Sequence, residues 1–476
     1  MRLFLAALLT ATAVPAVAAA APTLSPARST ATRAMFEKVI NTPTVIGRHN
    51  VPAMAQYLAD QFVAAGFPRA DVHVMPYHTG SAITGEDETA ALIVRWRAAG
   101  TPKARPILLM GHMDVVEAKR EDSTTDPFTL TAKDGYYYGR GTTDMKNGVI
   151  GITQALFDLN ANGWKPTRDI MVLFTGDEET NGTGADKGAG EWLDLLAHPE
   201  FGLNADAGGG GVTPDGRPIG FTLQTSEKTF ANYTLTARNR GGHSSKPRKD
   251  NAIYALAHAL DKIEAHRFEP MMDETTRAYF TARAKMERGA LGEAMRSWLA
   301  DPQDGKAADI IEASEEETGQ TRTRCVATRL FGGHADNALP QLATALVNCR
   351  IFPGVDPNMV EAELTRVVAD PEVKVTREDQ AMATLSSPLR PDVTAAFSHA
   401  VTVLHPGFAT FPTMETGASD AKPFLVAGVP VYGVNGVLLE IPTDYRMHGK
   451  DERLPIRSLT ENVVHWEIML RDLAGK

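Results

Sequence analysis

Short apolar runs alternate with segments of helical spacing in the first half of the chain. Residues 90–96, 107–110 and 170–175 are mainly apolar, as in strands that are buried on both faces of a sheet. Residues 33–65 and 147–159 instead repeat apolar side chains at the spacing of a helix. Strands that alternate with helices predict an α/β fold built on a largely parallel sheet.

Residues 229–382 change to half-exposed patterns that predict a second unit. Apolar and polar side chains alternate, as in strands with one exposed face, near 229–237, 324–331 and 341–351. Amphipathic helices are predicted at 251–263 and 359–368, and residues 264–320 are charged and helix-prone. The pattern indicates a small α+β domain.

This change in pattern predicts the domain organisation. We expect a catalytic domain made of residues 22–228 and 383–476, interrupted by the inserted α+β domain of residues 229–382. The last helix is expected to begin at a capping box formed by Ser458 and Glu461.

Charge and the N-terminus limit the partners and the compartment. The 476-residue chain has a formal net charge of −10, which argues against nucleic acid or an anionic membrane as the partner. Arg2 precedes a short apolar run, and small residues follow at 16–21, so residues 1–21 are expected to be a secretory signal. The protein is then exported, periplasmic or secreted, with no membrane anchor after cleavage.

Acids and histidines spread along the catalytic segments have the chemistry of metal ligands: His112, Asp114, Asp144, Glu178, Glu179, Asp206 and His448. Imidazole and carboxylate groups are the ligands that a zinc-type ion takes in a water-activating site. Each motif alone has an ordinary alternative, such as an accidental His-x-Asp pair, a helix-capping aspartate or a solvated acidic turn. Together they indicate a hydrolase site with five ligands, one orienting acid and one base.

The motifs and their order resemble a metallopeptidase family that contains aminoacylase, glutamate carboxypeptidase, succinyl-diaminopimelate desuccinylase and carboxypeptidase S. The resemblance covers nearly all of the chain after the signal, and the insertion at 264–320 resembles the longer carboxypeptidase-S-like branch. The matching stretches are 111–114, 134–146, 175–179, 241–247, 337–340, 350–353 and 416–420. In one departure, the family's Asn-Glu-Gly-Gly is replaced here by Asn204-Ala-Asp206-Ala-Gly.

The resemblance implies two Zn²⁺ ions, with Co²⁺ or Mn²⁺ as alternatives. His112 and Asp206 would bind one ion, Glu179 and His448 would bind the other, and Asp144 would bridge them. In such a site Asp114 would orient His112, and Glu178 would be the general base. The family's bridging carboxylate often precedes a cis peptide bond, here the one between Asp144 and Met145.

The resemblance also implies a lid, a homodimer and a substrate. The inserted domain would act as the lid and dimerisation domain, and its His243 would reach the partner subunit's active site to stabilise the oxyanion. Asn337, Arg350 and Gly417 would contact the substrate, with the Arg350 guanidinium holding a carboxylate.

The expected reaction is hydrolysis of an amide bond by a metal-activated water. The substrate is either a small peptide, which would make the enzyme an exopeptidase of the carboxypeptidase or dipeptidase type, or an N-acyl amino acid. A non-catalytic, peptide-binding exported protein is the alternative from another class, and it would be favoured by loss of Glu178 or of a metal ligand. The sequence retains all of them.

Cys325 and Cys349 are the two cysteines, and we expect them to form a disulfide. If the strands around them pair antiparallel, positions summing to 674 face each other, so 325 is opposite 349 and 330 is opposite 344. An oxidising compartment would permit the bond. The alternative is a pair of buried thiols.

Overall fold

We describe the protein from a computed structural model, which describes residues 21–81, 85–378 and 380–475. The predicted secretory signal, apart from Ala21, lies outside the described residues. Within the described ranges, every helix is too short or too polar to cross a bilayer.

The described residues form helices and strands along the whole chain. The helices are α1 (Pro26–Ile40), α2 (Val51–Ala64), α3 (Lys146–Ala161), α4 (Thr183–Ala189), α5 (Ala252–Ala265), α6 (Glu274–Met286), α7 (Gly289–Ala300), α8 (Gly305–Glu312), α9 (Pro357–Val368), α10 (Pro391–Leu404), α11 (Ala421–Val426) and α12 (Ile456–Ala474). The strands are β1 (Val72–Ser81), β2 (Gly85–Trp96), β3 (Ile107–His112), β4 (Thr131–Lys133), β5 (Tyr136–Tyr138), β6 (Ile170–Thr175), β7 (Phe201–Asn204), β8 (Gly209–Val212), β9 (Pro218–Glu227), β10 (Thr229–Arg238), β11 (Gly242–His243), β12 (Arg324–Gly332), β13 (Ala338–Leu339), β14 (Leu342–Ile351), β15 (Val373–Arg377), β16 (Thr410–Glu415), β17 (Val431–Gly433), β18 (Leu438–Glu440) and β19 (Arg453–Pro455).

A large mixed sheet forms the body of the protein. Its strand order is β1-β2-β6-β3-β7-β17-β9-β8-β18, and β16 pairs with β9. The central block β6-β3-β7-β17 is parallel, whereas β1 and β2 add an antiparallel hairpin at one edge. The predicted α/β fold with a mostly parallel central sheet is therefore confirmed.

Helices cover both faces of this sheet because its central strands are apolar on both sides. In β3, the side chains of Ile107 and Leu109 pack into the core layer that holds α1, α2, α3, α10 and α12. Leu108 and Met110 point the other way, into a layer that includes Phe424 of α11. This alternation explains why the strand sequence is continuously apolar.

A second, antiparallel sheet lies within the segment predicted as the inserted domain. Its order is β12-β14-β10-β15, and α5 and α9 cover one face. β10 follows the large-sheet strand β9 after one residue, Lys228, so the chain passes directly from one sheet to the other. We call this four-stranded unit the lid sheet, after the role that the family resemblance implies for it.

The charged insertion at 264–320 contains α6, α7 and α8. Their apolar faces form a separate core with Phe411 of β16, and the rings of Tyr279 and Phe411 lie 5.8 Å apart. The insertion therefore packs against the large sheet, although it lies between lid-sheet strands in sequence.

Two details of the predicted elements are wrong. The last helix begins at Ile456, and Ser458 does not cap it; the Ser458 hydroxyl donates to the Leu438 carbonyl oxygen at 3.0 Å. The edge strand β1 was not predicted, because its sequence mixes polar side chains with Pro76 and lacks a clean alternation.

Cys325 and Cys349 lie directly opposite each other on β12 and β14 and form a disulfide. The predicted register holds at this end of the pair. It fails farther along, where Leu330 pairs with Ala345 instead of Thr344, because a bulge between Ala327 and Arg329 shifts the pairing by one residue.

Candidate metal centre

The candidate ligands meet at the carboxyl edge of the parallel block. His112 ends β3, Glu179 follows β6, and Asp206 follows β7. Since β6, β3 and β7 are parallel neighbours, the residues that follow them emerge at the same edge of the sheet. Asp144 precedes α3, and His448 lies in the loop between β18 and β19.

Asp144 lies between two sets of ligand atoms. Its Oδ1 is 3.1 Å from His112 Nε2, which is also 3.4 Å from Asp206 Oδ1. Its Oδ2 is 3.1 Å from His448 Nε2, which is 2.9 Å from Glu179 Oε2. Within each set, the ligand atoms lie within 4.8 Å of one another. One carboxylate shared by two three-residue sets is the arrangement of a two-metal site.

A buried carboxylate that sequence reasoning missed holds the Asp144 loop. Glu452 Oε1 accepts hydrogen bonds from the main-chain N–H groups of Thr143 at 2.7 Å and Asp144 at 3.0 Å. Its Oε2 accepts from Arg140 Nη1 at 2.7 Å and from the Gly141 N–H at 3.0 Å. Glu452 thereby connects the bridging aspartate to the His448 loop. In the sequence, the feature that could have indicated a role for Glu452 is its position four residues after the predicted ligand His448.

The peptide bond between Asp144 and Met145 is cis, as the resemblance implied. His112, which the Asp144 carboxylate faces, is 1% exposed, whereas His448 is 55% exposed. The two ligand sets therefore differ in access. The His112 set lies deep, and the His448 set lies at the solvent side.

Asp114 contacts the far ring nitrogen of His112 through both its main chain and its carboxylate. The nearest atom to His112 Nδ1 is the Asp114 main-chain oxygen at 3.0 Å, while the carboxylate lies 3.5 Å away. That carboxylate also accepts hydrogen bonds from the N–H groups of Glu178 at 3.2 Å and Glu179 at 3.1 Å. Asp114 thus positions both the imidazole and the acidic turn.

Asp177, also missed by sequence reasoning, fixes the same turn from the other side. Its carboxylate accepts from the hydroxyls of Tyr77 and Thr79, both at 2.6 Å, and from the Thr183 and Gly184 N–H groups at 2.8 and 2.9 Å. Because each carboxylate oxygen is used twice, the turn that carries the predicted base is rigid.

The charges of the site are out of balance without cations. Burial and the neighbouring Asp206 raise the pKa of Glu178 well above its ordinary value. Burial raises the pKa of Asp206 to about 6, although His112 opposes this shift. Hydrogen bonds with Asp144 and Glu179 raise the pKa of the His448 imidazole to about 10. Carboxylates and imidazoles this close together compete for protons, and bound cations would displace those protons.

A hydrogen-bonded chain leads from Asp206 towards the lid sheet. The Asp206 N–H donates to Asn204 Oδ1 at 3.3 Å, and Asn204 Nδ2 donates to Ser419 Oγ at 3.3 Å. The Ser419 hydroxyl donates to Glu227 Oε2 at 2.8 Å. Glu227 ends β9, immediately before Lys228 and the first lid-sheet strand.

Of the residues predicted to contact the substrate, His243, Asn337 and Arg350 lie within residues 229–382, whereas Gly417 follows the large-sheet strand β16. Arg350 lies on β14, with its guanidinium carbon 4.8 Å from the centre of the Phe230 ring. His243 and Asn337 are exposed neighbours, because β11 pairs with β13 and the Ser244 N–H donates to the Asn337 carbonyl. Gly417 is exposed in the loop after β16. Nδ1 of the His243 ring contacts Ser245, two residues away.

Comparison with known proteins gives the family. The sequence model of peptidase family M20/M25/M40 matches residues 108–472. The chain is 27% identical to a Dictyostelium discoideum protein named probable carboxypeptidase S-like 2, over 78% of this chain and 72% of that one.

The chain is also similar to two proteins that are not named as carboxypeptidases. The chain is 29% identical to the Xenopus tropicalis N-fatty-acyl-amino acid synthase/hydrolase PM20D1, over 77% of this chain and 72% of that one. The dipeptidase Dug1p of Saccharomyces cerevisiae has the same fold, with a TM-score of 0.68 at 16% identity over 94% of this chain and 97% of that one. The family match covers most of the sequence, so the chain belongs to peptidase family M20/M25/M40 and is a metal-dependent hydrolase.

Proposed function

We propose that this enzyme uses two zinc ions to hydrolyse an amide bond next to the free carboxyl end of a small peptide. Its activity is that of an exopeptidase of the carboxypeptidase or dipeptidase type. The observation that carries the proposal is Asp144, whose two oxygens face one histidine-containing ligand set each. The name of the Dictyostelium relative supports the peptide substrate.

The donor set fits two divalent cations. Three carboxylates and two imidazoles supply the ligands, and this mixture of oxygen and nitrogen suits zinc, with cobalt or manganese as alternatives. His112, Asp144 and Asp206 would hold one ion, and Asp144, Glu179 and His448 would hold the other. Bound there, the ions would acidify a water and polarise the scissile carbonyl.

Glu178 is the group that moves the proton. Asp114 and Asp177 fix the turn on which it stands, and Glu178 follows a ligand-bearing strand at the same edge as His112. Its carboxylate can accept a proton from the water and return that proton to the leaving amine. Arg350, on the lid side, binds the substrate carboxylate as a bidentate fork.

An N-acyl amino acid is the second candidate substrate. The similarity to the Xenopus enzyme, whose name describes N-fatty-acyl amino acids, favours it. Such a substrate also presents a carboxylate to Arg350. The two candidates differ on the other side of the scissile amide, where one carries an amino acid and the other an acyl chain.

The deciding experiment is a hydrolysis screen on metal-loaded protein. Dipeptides are compared with N-acyl amino acids that share the same carboxyl-terminal residue, and Glu178→Gln protein serves as the matched inactive control. Faster cleavage of the dipeptides supports the exopeptidase, whereas faster cleavage of the acyl compounds establishes the amidase. Wild-type activity no greater than that of the control on either class would contradict the proposal.

The enzyme acts as a homodimer through the lid sheet, with His243 in the partner's active site. The support is an edge strand, β12, that exposes Val326, Leu330 and Phe331, and an exposed His243 whose ring contacts lie in its own loop. Mixing His243→Ala chains with Glu178→Gln chains should restore part of the activity. No recovery under conditions that demonstrably exchange subunits would contradict the trans arrangement.

Export to the periplasm or the outside of the cell completes the proposal. The Arg2-led apolar N-terminus and the disulfide Cys325–Cys349 support it. N-terminal sequencing of protein recovered from the periplasm or medium should give a start near residue 22. An intact Met1 in a cytoplasmic fraction would refute export.

A further inference from the structure

Two arginines face each other at the end of the lid sheet where β10 begins, next to Lys228 and β9. Arg324 on β12 and Arg350 on β14 are direct cross-strand partners, and Phe230 on β10 is the next residue in the row. The adjacent pair, Cys325 and Cys349, forms the disulfide, and Cys349 is fully buried on the core face. Since successive side chains alternate between faces, both guanidinium groups lie on the opposite, open face.

Arg350 is half-buried without a counter-ion. Its Nε donates to Asn348 Oδ1 at 3.2 Å, and its guanidinium lies against the Phe230 ring. Among the residues that the structure describes, no acid forms an ion pair with it. A fixed and partly desolvated guanidinium of this kind is prepared for an anion that arrives with a ligand.

Arg324 is held in place by the insertion. Its Nη1 donates to Glu312 Oε2 at 2.7 Å, and its side chain remains 40% exposed. Glu312 is itself buried and anchored, because the N–H groups of Gly319 and Thr321 both donate to it at 2.9 Å. Glu312 ends α8, so the insertion at 264–320 positions the second arginine of the row.

The charge of this end of the sheet is strongly positive. Burial, opposed by Glu312, and the charges of Arg324 and Arg350 lower the pKa of the fully buried Lys228 to about 7. Two guanidinium groups, and a lysine that is only partly charged at neutral pH, therefore face one carboxylate, so positive charge is in excess. Like charges directly opposite each other on neighbouring strands destabilise a sheet. A ligand that brings a carboxylate to each guanidinium group would offset this repulsion.

A short stretch of main chain and three hydrogen bonds connect the row to the metal centre. The Lys228 N–H donates to the Glu415 carbonyl at 3.0 Å, and Lys228 follows Glu227 in sequence. From Glu227, only Ser419 and Asn204 intervene in the hydrogen-bonded chain to Asp206.

We infer that Arg324 and Arg350 together select substrates whose carboxyl-terminal residue is acidic. Arg350 binds the α-carboxylate, and Arg324, oriented by Glu312, binds the side-chain carboxylate of an aspartate or glutamate. The disulfide fixes the register that brings the two arginines opposite each other. This inference deepens the proposed amide hydrolysis and rests on it for the position of the scissile bond.

The test compares two substrates that differ only in a carboxyl-terminal Glu or Gln, on the metal-loaded, disulfide-bonded enzyme. We expect kcat/KM to favour Glu, and Arg324→Gln to reduce that preference about tenfold or more through KM, as expected for one lost charge-assisted hydrogen bond. Arg324→Lys should restore part of it. Arg238→Gln changes an exposed arginine at the far end of β10 and should leave the Glu-to-Gln ratio unchanged.

A second measurement does not depend on catalysis. Calorimetric binding of free glutamate and free glutamine to the metal-loaded enzyme should show tighter binding of glutamate, and Arg324→Gln should remove the difference. Absence of hydrolysis of both substrates with this binding pattern intact would contradict the proposed function and leave the arginine pair supported. Equal wild-type binding and cleavage of the Glu and Gln ligands, or equal loss of both in Arg324→Gln, would overturn the inference.

Discussion

Glu452→Gln tests how the bridging aspartate is positioned. Glu452 is 3% exposed, and its two oxygens accept four hydrogen bonds from the Asp144 loop and Arg140. Glutamine keeps the shape but has one acceptor oxygen, and its amide group would point N–H donors at N–H donors. At best, one of the two bonded pairs survives. The loop that carries Asp144 then loses either its Asp144 and Thr143 contacts or its Arg140 and Gly141 contacts.

Two quantities should change by different amounts. Removing one partner of a buried ion pair lowers the free energy of unfolding by about 3–5 kcal/mol. Loss of a group that orients a ligand weakens metal binding by roughly 10–100-fold. Competition of the apo-protein against a chelator of known affinity measures metal binding. Denaturant unfolding of the same apo-protein measures the free energy of unfolding.

Asp169→Asn is the matched control for this variant. Asp169 is 4% exposed and accepts from Arg95 Nε at 2.8 Å and from the Ala98 N–H at 2.8 Å. It precedes β6 at the end of the strand away from the metal ligands, so its loss should reduce stability and leave metal affinity unchanged. The positioning role of Glu452 is refuted if Glu452→Gln binds metal as the wild type does, or if Asp169→Asn weakens metal binding equally.

Glu178, the disulfide and the buried His465 each support a further prediction. Glu178→Gln should keep the full metal content, measured by elemental analysis, and lower turnover by at least about 100-fold, the lower range for a general base. Replacing Cys325 and Cys349 together by serine should lower the free energy of unfolding by about 3 kcal/mol in the chain-entropy model, and an unchanged denaturation midpoint would contradict this. Burial and the neighbouring His405 lower the pKa of His465 to about 3. Neither ring nitrogen of His465 has a hydrogen-bond partner among the described residues. His465 therefore stabilises the fold fully above its unfolded pKa of 6.5, and this contribution is lost as pH falls from 6.5 towards 3. The decrease at pH 5 should be about 2 kcal/mol, and His465→Leu should show a correspondingly smaller loss of stability between pH 8 and pH 5.

The ligands at strand ends could be predicted because the geometry of a parallel sheet is regular. His112 and Glu179 follow apolar strands that are recognisable in the sequence, and parallel neighbours bring the residues after them to one edge. The disulfide register was accessible for the same reason, since antiparallel pairing relates positions by a constant sum. The bulge after Ala327 shifts the pairing by one residue, and the local sequence contains no feature that predicts it.

The residues that the sequence did not reveal act mainly through the main chain. Glu452 and Asp177 accept from N–H groups, which every residue but proline carries, so the partners leave no pattern of side chains to recognise. Their carboxylates also lie among acids that look like candidate ligands. Hydrogen bonding separates the two kinds of acid. A carboxylate whose oxygens already accept from N–H donors has little capacity left for a cation, whereas Asp144 still presents both oxygens to histidines. The hydrogen-bond capacity of each acid, which only the fold reveals, therefore distinguishes the ligands from the residues that hold them.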